Sequence, residues 1–271
     1  MGMTTTLTSQ RPTLLWASAI LLAGSIAAQI VYPLVDGVAR DRATVVVVVA
    51  AAAAMLAHAT FRLGPPRAVA VFAATAGVGW TAEIVGVATG FPFGAYAYAT
   101  DRIGPSVAEV PVIIGLAWTA GGYSMWWISA LVSRRRPIRI ALATVGMVGW
   151  DLYLDPQMVS ARLWTWSTED AGLPGIDQIP VTNFIGWAGV ACVMFVLLSL
   201  IDPKPVTVTP LTSVAPVGWF TWTWLGSALA FLVFLDDPAL HAAVPYGLFG
   251  MGILGVPAAM ALARRIRSGI N

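Results

Sequence analysis

Two aspartates four residues apart carry the clearest chemical signal in this chain. They sit in the stretch GWDLYLDPQMVSARLWTWSTEDAGLPGIDQIPVTNFIGW, from Gly149 to Trp187. On a helix, Asp151 and Asp155 fall on one face, one turn apart. Such a pair can hold a divalent metal, as DxxxD pairs do in membrane prenyltransferases that bind Mg²⁺ and a diphosphate. Those sites need a second acidic motif and basic residues for the phosphates. The comparable segment here, Asp236-Asp237, ends an apolar run and has few basic neighbours. The pair can instead be a general acid and its partner. Two neighbouring carboxyls in a low-dielectric site do not both ionise easily, so one keeps its proton near neutral pH. The third reading is polarity at a helix end facing water. Pro156 is expected to end this helix, because proline restricts its predecessor and cannot donate a backbone hydrogen bond.

A second acidic position, Glu83, lies inside an apolar run, where a carboxylate is costly and marks a functional candidate. Trp80 precedes it by three residues and shares its helical face. Phe91-Pro92-Phe93-Gly94 should break that helix, with Tyr96 and Tyr98 just beyond. Downstream of the aspartates, Trp164 and Trp166 fall in a predicted loop. Asn183 and Trp187 open the next apolar run, with Asn183 either an N-cap or an amide that orients a water. The aromatic faces can stabilise a cation where water is excluded, and equally suit an interfacial belt. Trp219, Trp222 and Trp224 read more simply as such a belt.

The elements that must position these groups are membrane helices. Of the 271 residues, 58% are hydrophobic and only 10% charged, against about 25% charged in a soluble domain. Mean hydropathy is +0.79. The apolar runs predict an all-α, polytopic helical bundle of eight spans in a single domain, residues 14–32, 44–60, 68–87, 110–132, 138–154, 182–201, 217–235 and 242–263. Each is long enough for roughly 30 Å of hydrocarbon. Residues 1–12 are polar and expected to fray. Eight spans put both termini on one side, which then carries Arg11, Arg62, Arg67, Arg134, Arg135, Arg136, Arg139, Lys204, Arg264, Arg265 and Arg267. By the positive-inside rule both termini are cytoplasmic, in a multi-pass protein of the cell membrane. Glycines at helix-packing spacing, Gly86/Gly90, Gly146/Gly149, Gly186/Gly189 and Gly247/Gly250, suit close helix contact in lipid.

Other classes find little support. A net charge of +2 leaves no nucleic-acid footprint. P-loop, nucleophile-elbow and CxxC motifs are missing. The lone Cys192 is read as a small buried apolar residue, and His58 and His241 as structural.

Beside this residue-level reading, the spaced motifs resemble the CruF-type carotenoid biosynthesis family of membrane proteins. The first signature is Glu83-x-x-Gly86-x-x-x-Gly90-x-Pro92-Phe93-Gly94-x-Tyr96-x-Tyr98, with Val110-Pro111 and Trp118 further on. The second is Asp151-x-x-x-Asp155-Pro156-x-Met158 followed by Trp164-x-Trp166. The third is Pro180-x-x-Asn183-Phe184-x-Gly186-Trp187. One departure is visible, since Asp177-Gln178 intervene where the family runs a Gly-Ile-Pro segment straight into the asparagine helix.

The resemblance implies a hydratase that adds water across the terminal 1,2 double bond of an acyclic carotenoid end group, giving a tertiary alcohol without cofactor or metal. Family members act on monocyclic carotenes or on C50 carotenoids of the bacterioruberin type. The implied partners are a carotenoid from the bilayer, water and membrane lipids, with no nucleic acid and with other carotenoid-biosynthesis enzymes as candidates. Catalysis would rest on Glu83, Asp151, Asp155 and Asn183. Trp80, Phe93, Tyr96, Tyr98, Trp118, Trp164, Trp166 and Trp187 would hold the substrate. The residue chemistry is compatible with this: a buried acid donates the proton, aromatic faces and a carboxylate tolerate the tertiary cation, and an amide or second carboxylate positions the water. End-group cyclisation or isomerisation through the same cation, and a non-enzymatic carotenoid or lipid carrier, are the alternatives.

Overall fold

A computed structural model describes residues 3–167, 170–202, 206 and 208–268. Helices α1 (Met3–Val31) and α2 (Gly37–Leu63) form an antiparallel pair joined by a 3₁₀ turn at Tyr32–Leu34. α1 begins at Met3, where fraying was expected. Gly64, at φ 85°, makes the corner that Pro65 and Pro66 require before α3 (Pro65–Phe72). A π-helical turn (Ala73–Gly77) runs straight on into α4 (Val78–Thr89), so these three pieces are one rod.

Between α4 and α5 (Ile113–Val132) the chain forms β1 (Tyr96–Tyr98) and a hairpin of β2 (Ser106–Val107) and β3 (Val110–Pro111). α6 (Arg136–Ser160) leads to β4 (Trp164–Trp166), then a hairpin of β5 (Gly172–Leu173) and β6 (Ile176–Pro180). α7 is Val181–Ile201. α8 (Pro210–Thr221), a second π-helical turn (Trp222–Gly226) and α9 (Ser227–Val233) make another rod, begun by a reciprocal Thr209/Thr212 capping box. α10 (Pro238–Ser268) closes the bundle against α6.

The described residues are mostly helical, with three two-stranded antiparallel sheets among them that the all-α expectation lacked. Among the described residues, six of the rods are long and apolar enough to cross a membrane: Pro12–Leu34, Gly37–Leu63, Pro65–Thr89, Val181–Ile201, Pro210–Val233 and Pro238–Arg265. The protein is a helical membrane protein. The remaining two long helices, α5 and α6, are less apolar for a physical reason. α5 is the central post, buried along nearly its whole length by other helices, so it can carry Trp, Tyr, Ser and Gly that lipid would disfavour. α6 carries the arginines and aspartates already singled out. Exposed Ile20, Val69, Leu200 and Phe249 lie on the outer helices, an apolar surface of the kind lipid covers.

Helix packing follows the small residues in part. Gly149 of α6 and Gly250 of α10 touch backbone to backbone; a Cβ on Gly149 would stand 2.4 Å from the Gly250 carbonyl carbon. Gly189 faces open space instead, and Gly90 is the left-handed C-cap of α4. Cys192 is exposed on the outside of α7, correcting the buried expectation, because hydropathy does not distinguish a core-facing from a lipid-facing position. Lys204, counted in the charge asymmetry, lies outside the described residues.

At one end of the bundle, Arg62 of α2 pairs with Asp202 after α7, and Trp126 Nε1 donates to the same carboxylate at 3.1 Å. His58 bridges Tyr123 and the Thr212 carbonyl nearby. Glu83, Asp151 and Asp155 gather at the other end, about 28 Å away along α7 at 1.5 Å per residue from Asn183 to Asp202.

Candidate active site

Glu83 projects from α4 just before the chain reverses. Gly90 ends the helix at φ 76°, its N–H bonded to the Gly86 carbonyl at 2.7 Å, and Phe91–Gly94 turn the chain back. β1 then returns beside α4. Its alternate residues share a face, so Tyr96 and Tyr98 both reach the acid. Their hydroxyls donate to Glu83 Oε2 at 2.5 and 2.8 Å, and Trp118 Nε1 of α5 donates to Oε1 at 3.2 Å. Gly86 leaves the room for this approach, since a Cβ there would lie 2.8 Å from the Tyr96 hydroxyl. Burial first, then the neighbouring Glu83 charge, pushes both phenols well above their ordinary range, so they remain donors.

Asp151 and Asp155 share a face of α6 as their spacing requires, but the helix does not stop at Pro156. It continues to Ser160, and the next apolar helix is close enough to hold the region in place. Both carboxyls are buried, at 0% and 2% exposure, which removes the reading as water-facing helix-end polarity. Asn183 is not an N-cap. Pro180 holds that position, and the Asn183 amide reaches across to donate to Asp151 Oδ2 at 3.0 Å and to Asp155 Oδ2. Trp164 Nε1 donates to Asp155 Oδ1 at 3.0 Å. The two aspartates, one turn apart on that face, are joined through the Asn183 amide. Asp151 Oδ1 is buried with no partner among the described residues.

A short strand pair sets the spacing between these two acid groups. Trp164 and Trp166 lie on β4 rather than in a loop, and β4 pairs antiparallel with β1 in the register Tyr96↔Trp166 and Tyr98↔Trp164. Tyr98, which donates to Glu83, therefore packs edge-on against Trp164, which donates to Asp155, with ring centroids 5.4 Å apart. Tyr96 stacks on Trp166 at 5.5 Å, and Trp166 Nε1 bonds the Phe93 carbonyl at 2.9 Å. Asp177 and Gln178, the departure from the family pattern, are exposed on β6, while Ile176 and Ile179 of that strand are buried.

Glu83 and Asp155 border a cavity of about 390 Å³. Of the residues singled out from sequence, Glu83, Tyr96, Tyr98, Trp118, Asp155, Trp164, Trp166, Asn183 and Trp187 line it. Asp151 stands behind Asn183 and Phe93 packs behind Tyr96; neither is on the wall. Trp80 is not on it either. Three residues before Glu83, it packs its Cβ against the position of Gly115 on α5, where a Cβ would lie 3.4 Å away. Three wall tryptophans escaped the sequence reading. Trp150 packs edge-on against Trp187 and Trp219 at 6.1 and 5.3 Å, and Trp222 lines the far side. Trp219 is buried, Trp222 is half-buried on the cavity wall, and half-buried Trp224 donates from Nε1 to the Leu248 carbonyl. The three-residue spacing of Trp219 and Trp222 was the available signal that both share one helix face. Trp118 and Trp187 stack at 4.1 Å over the acid end. Asp236 and Asp237 are not on the cavity wall, and Asp237 accepts from Ser160.

A family model described as carotenoid biosynthesis protein matches residues 43–254. The chain belongs to the carotenoid biosynthesis protein family. The CruF-type resemblance carried by the three signatures stands on that match. The matched segment holds Glu83, both aspartates, Asn183 and all the tryptophans named above. No curated protein and no solved structure matches the chain. Membership assigns the protein a role in carotenoid biosynthesis and suggests a pathway enzyme.

Proposed function

We propose that this protein is a carotenoid hydratase, adding water to the terminal 1,2 double bond of an acyclic end group. One observation carries the reading: Glu83 and Asp155, buried carboxyls that accept from phenols, indoles and an amide, border an aromatic-walled cavity in a carotenoid biosynthesis protein. Asp155, on the cavity wall, gives its carboxyl proton to the less substituted alkene carbon. The π electrons form the new C–H bond and leave a tertiary cation. Asp151 shares the proton before transfer, and Asn183 holds both carboxyls in line. General-acid catalysis of this kind supplies about 10²–10⁴-fold. The stacked Trp118/Trp187 pair and the Glu83 carboxylate stabilise the cation in a water-poor site. A water then forms the C–O bond, Glu83 takes the proton it releases, and return of that proton to the aspartates closes the cycle with one water consumed.

The wider reading is an eight-crossing protein of the cell membrane with both termini in the cytoplasm, drawing its carotenoid from the bilayer and working beside other enzymes of the pathway. A C-terminal reporter active only outside the cytoplasm would overturn that topology. The activity is tested by expressing the chain in a lycopene-accumulating host and weighing the pigments. The expected product is heavier by one water per modified end. A product of unchanged mass would point to cyclisation or isomerisation, and no new pigment from the purified, folded chain to a carrier.

A further inference from the structure

The cavity is not closed. Its wall runs from the acids to four large apolar side chains that are more than half exposed or close to it: Ile30 (50%) on the last turn of α1, Leu34 (63%) in the 3₁₀ turn, Leu229 (53%) on α9 and Phe234 (51%) just after it. Ile30, Leu34 and Leu229 belong to two of the membrane-crossing rods, Pro12–Leu34 and Pro210–Val233. The rod on one side carries the π-helical turn Trp222–Gly226, and Trp222, Thr223 and Gly226 of that turn are on the cavity wall. π-turns displace a helix face and recur at functional sites. An apolar mouth at a helix flank is of no use to a water-borne ligand, but it fits one dissolved among acyl chains.

The volume fixes how much of such a ligand enters. At roughly 30 Å³ per water-sized group, 390 Å³ holds about a dozen carbons. A carotenoid is several times longer. We propose that the mouth formed by Ile30, Leu34, Leu229 and Phe234 admits a linear polyene end-first from the bilayer, seating one end group against Asp155 and Glu83 while the rest of the chain stays in lipid. This rests on the hydratase reading for its chemistry and adds the ligand's shape. The protein reads the end group and is blind to polyene length.

The test uses the full chain in lipid nanodiscs, with lycopene and its shorter homologue diapolycopene as probes. A polyene held in the cavity acquires circular dichroism in its visible band, which reports binding independently of turnover. A pocket that enclosed the distal chain would separate the two polyenes by about 10-fold or more, since single methylenes are felt inside a pocket. The expected result is binding of both within about threefold, with product forming at similar rates. Filling the mouth with Ile30→Trp plus Leu229→Trp should cut the induced signal at least about tenfold. The same two tryptophans placed instead at exposed Val69 and Leu200, off the cavity wall, should leave it unchanged, and Asp155→Asn should bind without reacting. Wild-type signal in the mouth-filled variant, or strong preference for one polyene length, overturns the proposal. A signal that responds to the mouth variants without any product heavier by one water sustains the mouth and overturns the hydratase.

Discussion

The two ends of the bundle bury acids in opposite ways. Asp202 is met by the guanidinium of Arg62 and the indole of Trp126, and Arg139 lies 3.7 Å over the Trp126 ring. Charge is answered by charge, as a structural ion pair requires. Glu83, Asp151 and Asp155 are buried as deeply, yet no Lys or Arg bonds to any of them among the described residues. Their partners are neutral donors. Carboxyls so placed lack the opposite charge that fixes Asp202 as one half of an ion pair. Burial of an acid therefore says little about function until its partners are named.

The sharpest break of that comparison pairs one substitution at each end. Asp151→Asn keeps the shape: the new carbonyl can accept from Asn183, and the amide nitrogen can occupy the place of the partnerless Oδ1. It removes an ionisable proton and keeps the hydrogen bond from Asn183. Turnover should fall about 10²–10⁴-fold with melting little changed. Asp202→Asn removes the anionic half of the pair with Arg62 and should cost about 3–5 kcal/mol of stability, with turnover per folded molecule unaltered. Thermal melts and pigment assays on both variants decide it. Reversed outcomes would mean the chemistry sits at the ion-paired end. Glu83→Gln comes next. An amide cannot accept from three donors at once, so one of Tyr96, Tyr98 and Trp118 faces an N–H. About 1–3 kcal/mol of stability and roughly 10²-fold in turnover should go together. Tyr98→Phe is milder, because Glu83 keeps two donors and the ring contact with Trp164 survives. About tenfold in turnover, or ~1.4 kcal/mol at the transition state, is expected from a kcat measurement. No change would mean that the phenol only fills space.

What the sequence made legible follows from how each feature is encoded. Carboxylates in apolar runs are conspicuous, so Glu83, Asp151 and Asp155 stood out and their meeting was foreseeable from helix spacing and the shared end of the spans. The β1–β4 pair was not. It is three residues long, its partners are far apart in the chain, and its Tyr and Trp residues suit a belt, a core or a strand equally. The tryptophans of α8 and its π-turn failed for the same reason, since a ring in an apolar helix has no period that tells cavity from lipid. Pro156 misled because in a crowded bundle neighbouring helices support a turn that would end in water. Asn183 was visible as polar, but its reach to two aspartates on another helix is a tertiary fact.

The smallest effect expected is the most useful check on whether the two ends are independent. Arg139 sits at the start of α6, the helix that carries Asp151 and Asp155 at its other end. Its guanidinium lies over Trp126, one amino group reaches the Trp126 carbonyl at 3.4 Å, and its Nε has no partner among the described residues. Arg139→Met keeps an apolar stem over the indole and loses the cation–π attraction, about 0.5–2 kcal/mol. Asp202 retains Arg62 and Trp126, so nothing is stranded. A melt should fall by a few degrees at most, with turnover unchanged. If turnover dropped with stability intact, α6 would be transmitting a shift to the aspartates along its length. The ion-paired end would then tune the acid end, and the division between a structural and a chemical pole would have to be redrawn around one continuous helix.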